Sequence, residues 1–226
     1  MAVRTILVCE AQVPLVRGGA EIHVRQLVDR LRERGYAADL VSVPFKWYPK
    51  DEILAHAAAW RLLDLSESNG TPIDLVIGTK FPSYFARHPN KVAWLIHQYR
   101  AAYELCGTVY SDFAHTDLDV GLRRQIIDLD TAMLGECRRV YTNARNTASR
   151  LEKFNGLRAE PLYHPPRLAG RLAGGPAGDY ILSVGRLETV KRHDLALRAL
   201  ALSRGPRRLV IVGAGTQEPA LRRLAD

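Results

Sequence analysis

The sequence predicts an α/β protein with one domain on a parallel sheet, followed by the start of a second. Three observations carry that expectation. Short apolar runs alternate with longer amphipathic stretches, the order that sets crossover helices between parallel strands. A segment rich in glycine, proline and small residues, Arg167 to Asp179, interrupts the alternation as a linker would. After it, the strand–helix order resumes. The expected first domain is residues 1–165, the linker 166–178 and the second domain 179–226.

The elements follow in order. Thr5 to Cys9 is an apolar strand, and Pro14 leads to Arg17-Gly18-Gly19-Ala20. A helix is expected from about Glu21 to Arg34, closed by Gly35. Asp39 to Val43 is a second strand, and an alanine-rich helix covers Asp51 to Leu65. Asn69-Gly70-Thr71-Pro72 is a turn, followed by strands at Asp74 to Ile77 and Val92 to Ile96. A helix around Gly121 to Cys137, the strand Arg138 to Thr142 and a helix at Ala144 to Phe154 come next. Ala159 to Tyr163 is the last strand before His164-Pro165-Pro166. Beyond the linker the expected elements are the strand Tyr180 to Val184, a helix headed by Lys191, the strand Arg208 to Val212, and a helix from Gln217. That first helix carries Leu195, Leu197, Leu200 and Leu202 as its apolar side.

Composition narrows the function classes. The chain has 226 residues, 47% hydrophobic and 25% charged, enough for one full domain and part of another. No run approaches the roughly 18 apolar residues of a membrane span. The first residues read as a strand rather than a signal peptide, because the apolar run is short and lacks a cleavage site. Cys9, Cys106 and Cys137 are odd in number and scattered, forming no metal or disulfide framework, which fits a reducing cytoplasm. The net charge of +8 comes mostly from arginine and suits an anionic substrate, an acidic membrane surface or nucleic acid. The cations are spread along the chain without interleaved aromatics, which speaks against nucleic acid. The helix Ile22 to Arg34, apolar at Val24, Leu27, Val28 and Leu31 and basic opposite, is the candidate for peripheral contact with acidic lipid at the inner face of a membrane.

The strongest chemical signal lies just past the linker. Tyr180 to Val184 ends at Gly185, Arg186 follows at once, and Lys191 comes five residues later at a helix head. A guanidinium fork, an ammonium and free helix N–H groups form a layout that holds a diphosphate. Gly18 and Gly19 make a second such place, where absent side chains let a backbone approach a ligand. His97 closes a strand at the carboxyl edge, where open α/β sheets bind ligands. Lys80 stands at another strand edge, placed to meet an acceptor anion. The remaining histidines show no metal-ligand spacing. Asp117-Leu118-Asp119 and Asp128-Leu129-Asp130 match the letters of a metal-binding D-x-D, but both read as solvated or capping carboxylates. Gly213-Ala214-Gly215 lacks the third glycine of a dinucleotide fingerprint, since position 218 is Glu218.

Gly185-Arg186-Leu187-Glu188-Thr189-Val190-Lys191 resembles the G-R-L-x-x-x-K run of retaining GT-B glycosyltransferases of family 4, also called group 1. Arg17-Gly18-Gly19-Ala20-Glu21, Thr142-Asn143-Ala144-Arg145 and Leu162-Tyr163-His164-Pro165-Pro166 resemble further pieces of the same family, so the likeness covers nearly the whole chain. It implies two Rossmann-like domains of GT-B type, the second present only in its first part. It also implies retaining, metal-independent transfer of a sugar from a nucleotide diphosphate sugar to a hydroxyl of a glycan or lipid-linked acceptor, with no further cofactor. Arg186, Lys191, Gly18 and Gly19 would hold the donor diphosphate, and His97 would contact the reacting sugar or acceptor. Lys80 and Glu21 are the acceptor-side candidates. The family's later pair of glutamates, E-x7-E, has no counterpart, because Glu218 and Asp194 are the only carboxylates between Lys191 and Asp226. The chain is therefore expected to be a truncated fragment with little activity of its own. Two other classes stay open: a non-catalytic nucleotide- or glycan-binding remnant, and a GT-B nucleotide-sugar epimerase.

Overall fold

The computed structural model describes residues 3–166, 168–205 and 208–226. Arg167, within the expected linker, and Met1 and Ala2, ahead of the first strand, lie outside the described residues, as do Pro206 and Arg207. The chain divides into two compact units, Met1–Ala169 and Gly170–Asp226.

The first unit is a six-stranded parallel sheet in the order β2-β1-β5-β6-β7-β8. Its elements are β1 (Thr5–Gln12), α1 (Gly19–Glu33), β2 (Ala37–Pro44), α2 (Glu52–Leu62), β3 (Glu67–Ser68), β4 (Thr71–Pro72), β5 (Leu75–Lys80), β6 (Lys91–His97), α3 (Asp117–Gly135), β7 (Arg139–Thr142), α4 (Arg145–Asn155) and β8 (Glu160–Pro161). This is the alternation expected for a Rossmann-like sheet. Its two faces are packed differently. Ile53, Ala57 and Trp60 of α2, Ile126 and Leu134 of α3 and Leu151 of α4 fill one side together with Cys9, Val76 and Leu95. On the other side α1 lays Val24 and Val28 over Ile6, Val8 and Ile77, with Leu27 and Leu31 packed alongside. The apolar stripe considered for lipid contact is thus the face α1 turns to the sheet.

Local chemistry explains where expectation and structure part. The turn at Asn69-Gly70 is the tip of a small antiparallel hairpin between β3 and β4, with positive φ at both residues. The strand expected over Ala159 to Tyr163 pairs only through Glu160–Pro161, since Pro161, Pro165 and Pro166 have no N–H to extend a ladder. The helix α3 starts four residues early, because Thr116 caps it by accepting from the Asp119 N–H at 3.3 Å. Gly78 lets β5 pass against the turn that follows it: a Cβ there would sit 2.7 Å from the Tyr84 Cα.

The second unit holds a two-stranded parallel sheet, β9 (Ile181–Val184) beside β10 (Leu209–Val212), with α5 (His193–Leu202) and α6 (Glu218–Ala225). Its sheet residues Ile181 and Val184 are 45% and 68% exposed. The expected leucine face of α5 is only half covered: Leu197 and Leu200 are half-buried, Leu195 and Leu202 are exposed, and His193 is the residue that α5 buries. Two strands present too little area to cover a four-leucine stripe. The segment Gly213-Ala214-Gly215 packs tightly on the Gly185 turn, where a Cβ on Gly215 would lie 2.5 Å from the Leu187 carbonyl oxygen.

Gly78→Ala should cost about 2 kcal/mol, because backbone on both sides must shift to admit the methyl group. Urea unfolding of the variant against the parent checks this; equal midpoints would show that the turn yields freely.

Candidate functional sites in the two units

In the first unit the strand order reverses between β1 and β5, since β1 leads outward to β2 and β5 returns on its other side. Carboxyl ends at such a reversal leave a crevice between diverging loops. Four of the residues singled out in the sequence meet there. Lys80 ends β5, and its Nζ lies 2.5 Å from Glu21 Oε1 on the first turn of α1. The other carboxylate oxygen of Glu21 accepts the Gly18 N–H at 2.8 Å. Lys80 and His97 are register partners at the ends of β5 and β6, just past an irregularity at Gly78. Lys80, Glu21, Gly18 and His97 thus share one edge of the sheet.

The electrostatics of this edge are those of a closed, internally satisfied cluster. Lys80 and Glu21 are both buried. Burial pushes the Glu21 carboxyl up, but the Lys80 ammonium and the Gly18 amide outweigh it, so Glu21 is held below its usual range. The Gly18 N–H is therefore spent on an internal carboxylate. Gly19 is the first residue of α1, with open space where a side chain would stand. Burial pushes the His97 imidazole down to about 4, and its Nδ1 lies 2.8 Å from the Gln98 carbonyl oxygen. A neutral ring donating from Nδ1 keeps an acceptor lone pair at Nε2.

The sequence reading passed over Glu10. It is fully buried in β1, with Oε1 3.4 Å from the Arg25 guanidinium and 3.2 Å from the Ser42 hydroxyl, while Oε2 has no partner among the described residues. Burial raises its pKa against the pull of Arg25. An acidic residue inside the apolar run of β1 was the available signal. His23 and His164 were less visible, being far apart in sequence. Their rings stand 4.7 Å apart, and His23 also meets Trp94 edge-on at 4.5 Å. Burial, then the neighbouring His164, lowers His23 to about 4.

Asp130 corrects the D-x-D reading. Rather than solvated, it is fully buried and accepts both the Tyr84 hydroxyl at 2.7 Å and the Tyr103 hydroxyl at 2.6 Å. Asp119 is also buried, pairing with Lys50 at 2.6 Å and accepting the Ala114 N–H. Among the described residues no group of three or more His, Cys, Asp or Glu is placed to hold a metal ion. Cys9 is buried, which pushes its thiol up to about 12, away from thiolate chemistry. No described helix is long and apolar enough to cross a membrane.

In the second unit, β9 delivers Gly185 and Arg186 at its carboxyl end. Lys191 is not at the head of a helix, as the sequence suggested, but closes a 3-10 turn, Thr189–Lys191. Arg192, in the left-handed region at φ 54°, then breaks the chain direction before α5 starts at His193. Arg186 and Lys191 are both exposed, and neither forms an ion pair among the described residues. The turn beneath them is fixed by backbone bonds: Gly185 N–H to Val212 O at 3.0 Å, Leu187 N–H to Ala214 O at 2.9 Å and Gln217 N–H to Leu187 O at 2.8 Å.

Compared with known proteins, the chain matches no family model, and no curated protein is significantly similar to it.

Two outcomes follow from the buried groups of the first unit. Glu21→Leu strands the Lys80 ammonium and should cost about 3–5 kcal/mol, whereas Glu21→Leu with Lys80→Met should recover most of the loss. Chemical unfolding of the single and double variants decides this; additive losses would contradict the pairing. His23 titrates lower in the folded chain, so the unfolded chain takes up the proton first as pH falls. Its contribution is intact above about 6.5 and is lost toward about 4. His23→Leu should flatten the stability profile in that window by on the order of 3 kcal/mol at most; an unchanged slope would exclude this residue as the cause.

Proposed function

We propose that the protein binds a nucleotide diphosphate sugar through Arg186 and Lys191 and belongs to a metal-independent, retaining sugar-transfer system. The observation that carries this reading is a pair of exposed cations, without ionic partners among the described residues, in and just after the Gly185 turn at a strand's carboxyl end. The Gly185 and Leu187 amides of that turn are spent on β10 and its glycine loop, and the two cationic side chains are its charged groups for a ligand. A guanidinium presents a planar fork to phosphate oxygens, and an ammonium adds a point charge. The negative charge that grows on a departing diphosphate is what such fixed cations stabilise.

The carboxyl edge of the first unit suits the acceptor. His97 presents a neutral ring with Nε2 as acceptor, which fits a hydrogen bond from a sugar or acceptor hydroxyl. Lys80, neutralised by Glu21, makes the edge polar without a strong net charge. In this reading Gly19 opens the way to the backbone, and Glu21 holds the glycine loop in place.

A second reading, nucleotide or glycan binding without transfer, draws on the spent carboxylates of the second unit. Asp194 is paired with Arg192 and Glu218 with Arg222, so neither is free to grip a sugar hydroxyl. Product formation separates the two.

Isothermal titration with UDP-, GDP- and ADP-sugars tests the binding. One class should bind the parent chain, and Arg186→Ala and Lys191→Ala should each weaken it at least tenfold with unchanged melting temperature. Parent-like binding by both variants would reject the clamp. Labelled product formed from that donor would favour transfer; binding without product would favour the second reading.

A further inference from the structure

The buried residue of α5 is a histidine, in a helix whose leucines at 195 and 202 stand exposed. That inversion asks for a reason. Apolar burial would favour a leucine inward, and a buried imidazole must find partners for both ring nitrogens.

Both nitrogens have them. The Ser183 hydroxyl lies 2.8 Å from His193 Nδ1, and His193 Nε2 lies 3.3 Å from the Arg186 carbonyl oxygen. A carbonyl only accepts, so Nε2 carries the proton and Nδ1 accepts from the hydroxyl of Ser183. One chain of bonds therefore runs from the middle of β9, through the first residue of α5, to the backbone of Arg186. The same carbonyl also accepts the Glu188 N–H at 2.8 Å. The ring also packs on Gly185, where a Cβ would stand in van der Waals contact with His193 Nε2 at 3.5 Å.

We infer that His193 is a positioning residue, a strap from Ser183 to the Arg186 carbonyl that presets the Gly185-Arg186-Leu187 turn for an anionic diphosphate. The inference rests on the phosphate reading of Arg186 and Lys191. His193 touches no ligand. It acts by fixing the peptide from which the Arg186 side chain departs, so that the guanidinium loses less freedom when it pairs with phosphate. Without the strap the turn keeps its bonds to β10, but the Arg186 carbonyl keeps only its neighbour two residues on.

The test uses the whole chain and inorganic pyrophosphate, with two readouts. Titration calorimetry gives the pyrophosphate affinity, and amide hydrogen exchange of Leu187 without ligand reports how firmly the turn is held. His193→Ala should weaken pyrophosphate about 5- to 10-fold, the scale of one lost hydrogen bond, and speed Leu187 exchange. His193→Gln, which carries a donor and an acceptor on one side chain, should restore most of both. Ser183→Ala, which leaves the Arg186 contact in place, gives a smaller loss and covers the case in which His193→Ala does not fold. Parent-like affinity and exchange in His193→Ala would overturn the strap. If the parent chain binds no pyrophosphate, the phosphate reading fails, and ligand-free exchange alone judges the strap: faster Leu187 exchange in His193→Ala supports it, and unchanged exchange rejects it.

Discussion

The constraint on which the structure depends is that all strands of both principal sheets run parallel. Parallel strands end on one side, so each unit gathers its strand ends and the loops that leave them along a single edge. In the first unit the reversal between β1 and β5 opens that edge and brings Gly18, Glu21, Lys80 and His97 into one neighbourhood. In the second, β9 and β10 end side by side, and each glycine turn is shaped by the other. The Gly185 and Leu187 amides are used in holding the turn, and the side chains of Arg186 and Lys191 stay exposed.

The two edges show opposite uses of charge. Lys80 and Glu21 are buried, and burial of separate charges is costly enough that each requires the other. Their pairing, with the Gly18 amide as third member, fixes the start of α1 over the sheet. This is architecture with a polar surface. Arg186 and Lys191 are exposed and form no ion pair among the described residues, so an arriving anion has no such pair to break. Exposed single cations contribute little to stability, which is why their placement on a rigid turn reads as binding rather than folding. His193 explains how a small sheet with much of its apolar surface uncovered still holds that turn in one shape.

The fold class and the order of elements were legible because they depend on local patterns: apolar runs of strand length, amphipathic stretches and glycine–proline punctuation. Boundaries slipped where a single residue decides them, as with the Thr116 cap, the prolines around β8 and the left-handed Arg192. Glycine turns were legible as turns, although not for which backbone they approach; Gly213 and Gly215 answer to Gly185 and Leu187, which lie in a different loop. Long-range partners were the blind spot. Nothing near Asp130 announces two tyrosines 27 and 46 residues away, and nothing near His23 announces His164. The leucine stripe of α5 is covered only at Leu197 and Leu200, because periodicity gives the side of a helix that is apolar, not whether a sheet is broad enough to cover it.

The most direct test is to locate where a nucleoside diphosphate touches the protein. Backbone amide shift mapping of the labelled chain with UDP, GDP and ADP in turn does so without knowledge of sugar or acceptor. The account predicts that one of them perturbs the amides of Gly185 to His193 most strongly, together with Gly213 to Gln217. Perturbations that fall elsewhere, with the Gly185 turn silent for all three, would contradict it.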